Sequence, residues 1–85
     1  MKLQIFAVKD RAINAYMRPW FAQTQGQATR MFQDEVNNRQ GEINKHADDY
    51  DLWHLATFDD NMGTIEMLPE GPQQLALGKQ LKEQA

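Results

Sequence analysis

Residues 15–36, AYMRPWFAQTQGQATRMFQDEV, place basic and aromatic side chains close together. Tyr16, Arg18 and Trp20 alternate there, so a regular strand would present all three on one side. Aromatic rings on a sheet can stack on nucleic-acid bases, and arginine can contact phosphates. Either Trp20 or its neighbour Phe21 must instead face the core, and the sequence leaves open which one does. The candidate nucleic-acid contacts are Lys2, Lys9, Arg11, Tyr16, Arg18, Trp20 and Arg30.

Side chains for enzymatic chemistry are scarce. The sequence has no cysteine and no serine, which excludes the usual nucleophilic dyads, a disulfide framework and a thiolate metal site. His46 and His54 lie near several aspartates, but their spacing matches no metal-ligand pattern, and residues 40–51 are typical of a solvated acidic loop. The segment QTQGQA has one glycine and matches no phosphate-binding loop. We therefore expect no enzyme, no metal and no cofactor.

Charge is distributed unevenly along a chain with a net charge of −3. Residues 1–45 hold seven Lys/Arg and four Asp/Glu, whereas residues 46–85 hold two and eight. Such asymmetry indicates either nucleic-acid contact through the basic half or an acidic surface that faces a protein. The overall acidity argues against a strong, sequence-independent coat on DNA, which is normally basic.

The length of 85 residues indicates one domain with a modest core. We expect a homodimer, because pairing would bury more apolar surface. The absence of cysteine is consistent with a reducing cytoplasm. The apolar run at the N-terminus is broken by Gln4 and stops at Lys9, too short for a signal peptide, and no run is long enough to span a membrane.

The elements that would position these side chains follow from local patterns. Residues 2–8 alternate and are rich in β-formers, which predicts a strand. Residues 16–23 predict a second strand, which must lie at an edge or bulge at Pro19 because proline has no N–H. A T-x-x-Q capping box at Thr24 predicts a helix over about residues 25–38.

The second half predicts a hairpin of residues 52–58 and 64–68, closed by Gly63 with positive φ. Residues 71–85 predict a weakly helical or frayed tail. The order β-β-α-β-β then predicts an α+β, ββαββ domain over residues 1–70, with one antiparallel sheet and a single helix packed on one face. The other face needs a partner subunit, the tail or solvent-tolerant residues. Strict alternation along residues 52–58 would place four side chains on one side of this strand: Leu52, His54, Ala56 and Phe58.

Five segments spread over residues 1–68 carry a family resemblance. They are MKLQIFAVKD (1–10), RPWF (18–21), ATRMFQDEVN (28–37), KHADDYDL (45–52) and FDDNMG (58–63). Together they resemble the small non-structural protein of the gokushovirus branch of the Microviridae, which are tiny bacteriophages with single-stranded DNA. That protein is regarded as a counterpart of protein C of the isometric coliphages.

The resemblance implies a DNA-binding accessory protein of viral single-stranded DNA synthesis and genome packaging, located in the host bacterial cytoplasm. The partners it implies are single-stranded DNA and the phage replication initiator or procapsid proteins. It assigns no residue-level site. One alternative, favoured by the net acidity, is an adaptor that recruits the replication initiator or a host factor without touching DNA. A weaker alternative is a homodimeric regulator of a host protein.

Overall fold

A computed structural model describes residues 1–83 of the chain. It contains one antiparallel sheet, one main helix and several single-turn elements. Along the chain these are β1 (Lys2–Asp10), β2 (Ala15–Tyr16), β3 (Trp20–Ala22), α1 (Gln25–Val36), α2 (Glu42–Lys45), a 3-10 turn (Ala47–Asp49), β4 (Tyr50–Asp59), β5 (Thr64–Met67), β6 (Gln73–Leu77) and α3 (Gly78–Leu81).

The two long strands, β1 and β4, pair along their whole length and form the middle of the sheet. The short strands β2 and β3 share the outer edge of β1, and β5 and β6 share the outer edge of β4. Each long strand therefore has one short partner near each end. The sheet therefore has two ends along the direction of β1 and β4: β2 and β6 flank one end, and β3 and β5 flank the other.

Helix α1 covers one face of the sheet. It begins where Thr24 Oγ1 accepts a 3.0 Å hydrogen bond from the Gln27 N–H, as the capping box predicts. Its buried side chains recur every four residues, so they form one stripe that packs on the sheet. This core contains Phe6, Val8, Ala22, Ala28, Phe32, Val36, Ala47 and Leu52.

The predicted α+β class, with one antiparallel sheet and one main helix, is confirmed, but the ββαββ order is not. The predicted strand 16–23 is two short strands, because the chain leaves the sheet after Met17, whose N–H still donates to the Val8 carbonyl, and Pro19 cannot donate to a ladder. The predicted frayed tail instead contains β6, which is paired with β4. The part of the tail prediction that falls on residues 84–85 lies outside the described residues.

A β-bulge at Leu55 makes the predicted common face of residues 52–58 wrong. Ile5 pairs with Ala56 and Phe6 pairs with His54, so Leu55 has no partner on β1. The extra residue reverses the alternation beyond it. His54 consequently lies on the helix side, whereas Phe58 lies on the opposite side with Trp53.

No helix within residues 1–83 combines the length and apolar character needed to cross a membrane.

Candidate nucleic-acid interface

The sheet face opposite α1, here called the open face, is left uncovered by the elements of residues 1–83. Alternation along β1 puts Leu3, Ile5, Ala7 and Lys9 on it, because Phe6 and Val8 point into the core below the helix. Ala7 is nevertheless fully buried. Large side chains of the neighbouring strands therefore cover the middle of this face.

One end of the open face carries a cluster of two aromatic rings around a lysine. Lys9 is paired with Tyr16 on β2, and its Nζ lies 5.3 Å from the Tyr16 ring centroid and 5.4 Å from that of Trp53. The two rings meet edge to face with centroids 6.0 Å apart. We call Lys9, Tyr16 and Trp53 the aromatic–lysine cluster. It places a cation within cation–π range of two rings that a planar base could contact.

A buried carboxylate supports this end from beside the cluster. Asp51 is 1% exposed, and its Oδ2 forms an ion pair with Arg11 Nε and accepts a hydrogen bond from Gln74 Nε2, both at 3.1 Å. The Arg11 guanidinium also donates to the Asp48 carbonyl oxygen. Arg11 thus joins the turn after β1 to the start of β4. Because Asp51 compensates its charge, Arg11 is better suited to holding the fold than to neutralising a phosphate.

The other end of the open face is apolar. Phe21 on β3 and Phe58 on β4 contact each other edge to face with centroids 5.6 Å apart. Ile65 and Met67 on β5 are 62% and 59% exposed. The group here called the apolar cluster consists of Leu3, Phe21, Phe58, Ile65 and Met67.

The structure brings together some of the candidate contacts and separates others. Lys9 and Tyr16 lie in the aromatic–lysine cluster with Arg11 beside them. Arg18 is exposed on the connection between β2 and β3 and forms no ion pair within the described chain. Lys2 is exposed at the opposite end of β1, on the helix side of the pleat.

Trp20 and Arg30 do not belong to the open face. Trp20 pairs with Phe6, and their ring centroids lie 6.2 Å apart on the core side. The platform of Tyr16, Arg18 and Trp20 that strict alternation would give is therefore wrong, because the strand breaks between Tyr16 and Trp20. Arg30 is exposed on α1, the element that covers the opposite face.

Sequence patterns alone missed Trp53 and Phe21 as open-face aromatics. Trp53 alternates with Leu52 and His54, which indicated that it faces away from them. That pattern gave no information that Trp53 lies near Tyr16, 37 positions earlier, because this depends on the pairing of β1 with β4. The sequence also left open which face Phe21 occupies, because that face depends on where the strand restarts after Pro19.

His54 is the buried titratable group on the helix side of β4. Its ring stacks on Phe6 with centroids 4.8 Å apart, and the Gln25 side-chain amide lies 3.2 Å from Nδ1. Burial lowers the pKa of His54, with a smaller opposing effect of the Ala56 backbone. Burial therefore favours the neutral imidazole over the protonated one in the folded chain. Among residues 1–83, no three His, Asp or Glu side chains come together as a metal site.

Comparison with known proteins gives one result at the level of family. No curated protein matches the chain, and no solved structure matches it. The family model described as Phage ORF5 protein matches residues 3–81, which include the whole sheet from the second residue of β1 and all of α1. This chain therefore belongs to the Phage ORF5 protein family.

Proposed function

We propose that this protein is a DNA-binding accessory protein of phage single-stranded DNA synthesis and genome packaging. The observation that carries the proposal is the aromatic–lysine cluster on the open face. Tyr16 is 40% exposed, and Lys9 holds its ammonium group between two rings. A base can stack on such a ring while the ammonium group contacts the adjacent phosphate, and each stacked base contributes about 1–3 kcal/mol.

The geometry favours a single strand over a duplex. Unpaired bases can turn their flat surfaces to side chains on a sheet, whereas the bases of a duplex are stacked on one another. Two cations of the cluster and of the connection that follows Tyr16 lack a carboxylate partner within residues 1–83: Lys9, in the cluster, and Arg18, on the connection. With so few phosphate contacts, binding should depend on salt only moderately, as suits an acidic protein.

The phage family supports the biological setting of this proposal. The finer assignment, to gokushovirus-type Microviridae, rests on the resemblance and fits a ligand of single-stranded DNA. In that setting the protein acts in the host bacterial cytoplasm. There it brings nascent genomes to the replication initiator or to procapsid proteins.

Tryptophan fluorescence gives a direct test, because the chain has two tryptophans and they lie on opposite faces of the sheet. In a Trp20→Phe variant, the remaining Trp53 reports on the cluster. Titration with oligo-dT should quench its emission, with higher affinity at low salt than at high salt. Lys9→Gln should reduce the slope of log affinity against log salt by about 0.7, the value of one single-strand phosphate contact.

The matched control is Arg30→Gln, which removes an exposed cation from α1 and should leave the salt slope unchanged. Duplex DNA of the same length should bind more weakly than oligo-dT. Absence of any quenching at low salt would refute the proposal.

An adaptor without DNA contact is the second candidate, and the acidic hairpin favours it. Asp60, Glu66 and Glu70 are exposed around β5 and can face a basic protein surface. Pull-down with the phage replication initiator, with and without nuclease, separates the two functions. A complex that survives nuclease, combined with no oligo-dT binding, would establish the adaptor in place of the DNA-binding protein.

A further inference from the structure

Two neighbouring rows of side chains cross the open face at its apolar end. Cross-strand pairing defines one row as Phe21, Ile5, Ala56 and Met67 and the next as Leu3, Phe58 and Ile65. Every member is apolar, and three of them are more than half exposed: Phe21, Ile65 and Met67. Exposed apolar groups on adjacent strands are typical of a protein-binding surface.

The charges around these rows disfavour nucleic acid as the ligand of this end. Neither row contains a cation, and the next pair along β1 and β4 is Lys2 with Asp59, which lie on the helix side of the pleat. Asp60, the first residue of the hairpin loop, binds the N-terminal ammonium group at 2.8 Å. A phosphate backbone would therefore find no cation on these rows, whereas an apolar protein surface needs none.

Strand β5 presents a free edge beside the same rows. Within residues 1–83 it pairs with β4 and with no other strand. The Leu68 N–H donates to the Leu55 carbonyl at 3.2 Å. Because backbone groups alternate in direction along a strand, Glu66 and Thr64 also turn theirs toward β4. The N–H and C=O groups of Ile65 and Met67 therefore point to the free edge, where they can pair with another strand.

We propose that the apolar end binds a second copy of this chain, through antiparallel pairing of β5 with β5 about a two-fold axis at Ile65. The pairing would join the two sheets edge to edge and continue the apolar rows from one open face to the other. It would satisfy the outward backbone groups and bring the exposed Ile65 side chains together.

The charge on β5 selects this register. With Ile65 opposite the partner's Ile65, Glu66 lies opposite the partner's Thr64. Moving the axis by one residue would place the two Glu66 carboxylates opposite each other, and like charges at directly opposed positions destabilise a strand pair. A register centred on Ile65 is therefore favoured over one centred on Glu66.

The absence of cysteine makes single-cysteine variants clean probes of this interface. In the proposed register the two residues at position 65 form a hydrogen-bonded pair with Cα atoms about 5.5 Å apart, within the range of about 4.4–6.8 Å that a disulfide spans. Oxidation of Ile65→Cys should give a disulfide-linked dimer as the main product. Glu66→Cys and the helix variant Met31→Cys should remain mostly unlinked, although Met31 is also exposed, at 43%.

Sedimentation of the unmodified chain supplies the second measurement. We expect a concentration-dependent dimer that Ile65→Lys converts to a monomer, with an unchanged circular dichroism spectrum because Ile65 is exposed. Preferential crosslinking of Glu66→Cys, or a strict monomer at high concentration, would overturn the proposal. Since DNA binding is assigned to the other end of the face, Ile65→Lys should still bind oligo-dT, so the two proposals fail separately.

Discussion

The two ends of the open face lie on the same strands and yet differ in chemistry. At one end, the aromatic–lysine cluster combines rings with a cation, next to the buried Asp51 carboxylate. At the other end, the apolar cluster has rings and aliphatic groups with no cation among them. A sheet that one helix covers on one side thus has two separate surfaces available on its other side. We assign the first to DNA and the second to a copy of the chain.

The largest expected effect is on DNA affinity, when one aromatic ring at each end is replaced by alanine. Tyr16 and Phe21 form a matched pair, since both lie on edge strands beside β1 and are 40% and 52% exposed. Tyr16→Ala should lower oligo-dT affinity about ten-fold to a hundred-fold, because it removes a stacking surface worth about 1–3 kcal/mol. Phe21→Ala should leave that affinity unchanged, and it should also leave dimerisation intact, because β3 lies at the edge of the sheet opposite β5.

Fluorescence titration and sedimentation of the same two variants make this comparison. Equal loss of DNA affinity in both would show that the whole face binds DNA, and the division into two ends would then be wrong. Thermal melts of each variant exclude unfolding as the cause.

A smaller difference is expected in stability, between variants that remove the ion pair beside each end of the open face. Arg11→Met removes the cation that pairs with the buried Asp51, while Oδ2 keeps its hydrogen bond from Gln74 and Oδ1 stays without a partner. The free energy of unfolding should fall by about 1–2 kcal/mol, less than the cost of breaking a fully buried pair, because Arg11 is half exposed. Asp60→Asn at the apolar end should have little effect, because the ion pair it removes is exposed.

Urea unfolding of both variants measures how much each substitution lowers the free energy of unfolding. Similar losses for Arg11→Met and Asp60→Asn would contradict the structural role given to the Asp51 pair. Retained oligo-dT affinity in Arg11→Met, measured well below its unfolding midpoint, would agree with a holding role for Arg11 rather than direct phosphate contact.

Local sequence rules predicted the features that depend on neighbouring residues. The Thr24 cap, the helix that follows it and the positive φ of Gly63 all depend on contacts within a few positions. The alternation of β1 likewise placed Ile5 and Phe6 on opposite faces, as found. These features fix the helix-covered core, which is the part of the molecule with the simplest pattern.

The features that define the two ends depend on pairing between distant segments. The bulge at Leu55 moves Phe58 to the open face, and no local signal marks it. Likewise, the sequence predicts a weakly helical or frayed tail over residues 71–85, where Gly78 only weakens a helix. A Cβ there would instead lie 2.7 Å from the Tyr50 carbonyl oxygen, so the glycine permits close approach of the chain after β6. Strand pairing of this kind depends on tertiary context more than on propensity.

The smallest expected effect is a loss of stability in mild acid that both ends share. His54 lies on the helix side of β4, and burial lowers its pKa in the folded chain. The unfolded chain then binds more protons below about pH 6.5, so the free energy of unfolding should fall as the pH decreases through that value. Urea unfolding at neutral pH and at about pH 5.5, well above the ordinary aspartate range, measures this change.

His54→Gln should flatten the pH dependence, because glutamine does not titrate. Since His54 supports the common sheet rather than either cluster, oligo-dT binding and dimerisation should weaken together, and only as the folded fraction falls. Loss of one activity in mild acid while the chain stays folded would place a titrating group in that end of the open face, and would contradict a shared origin in His54.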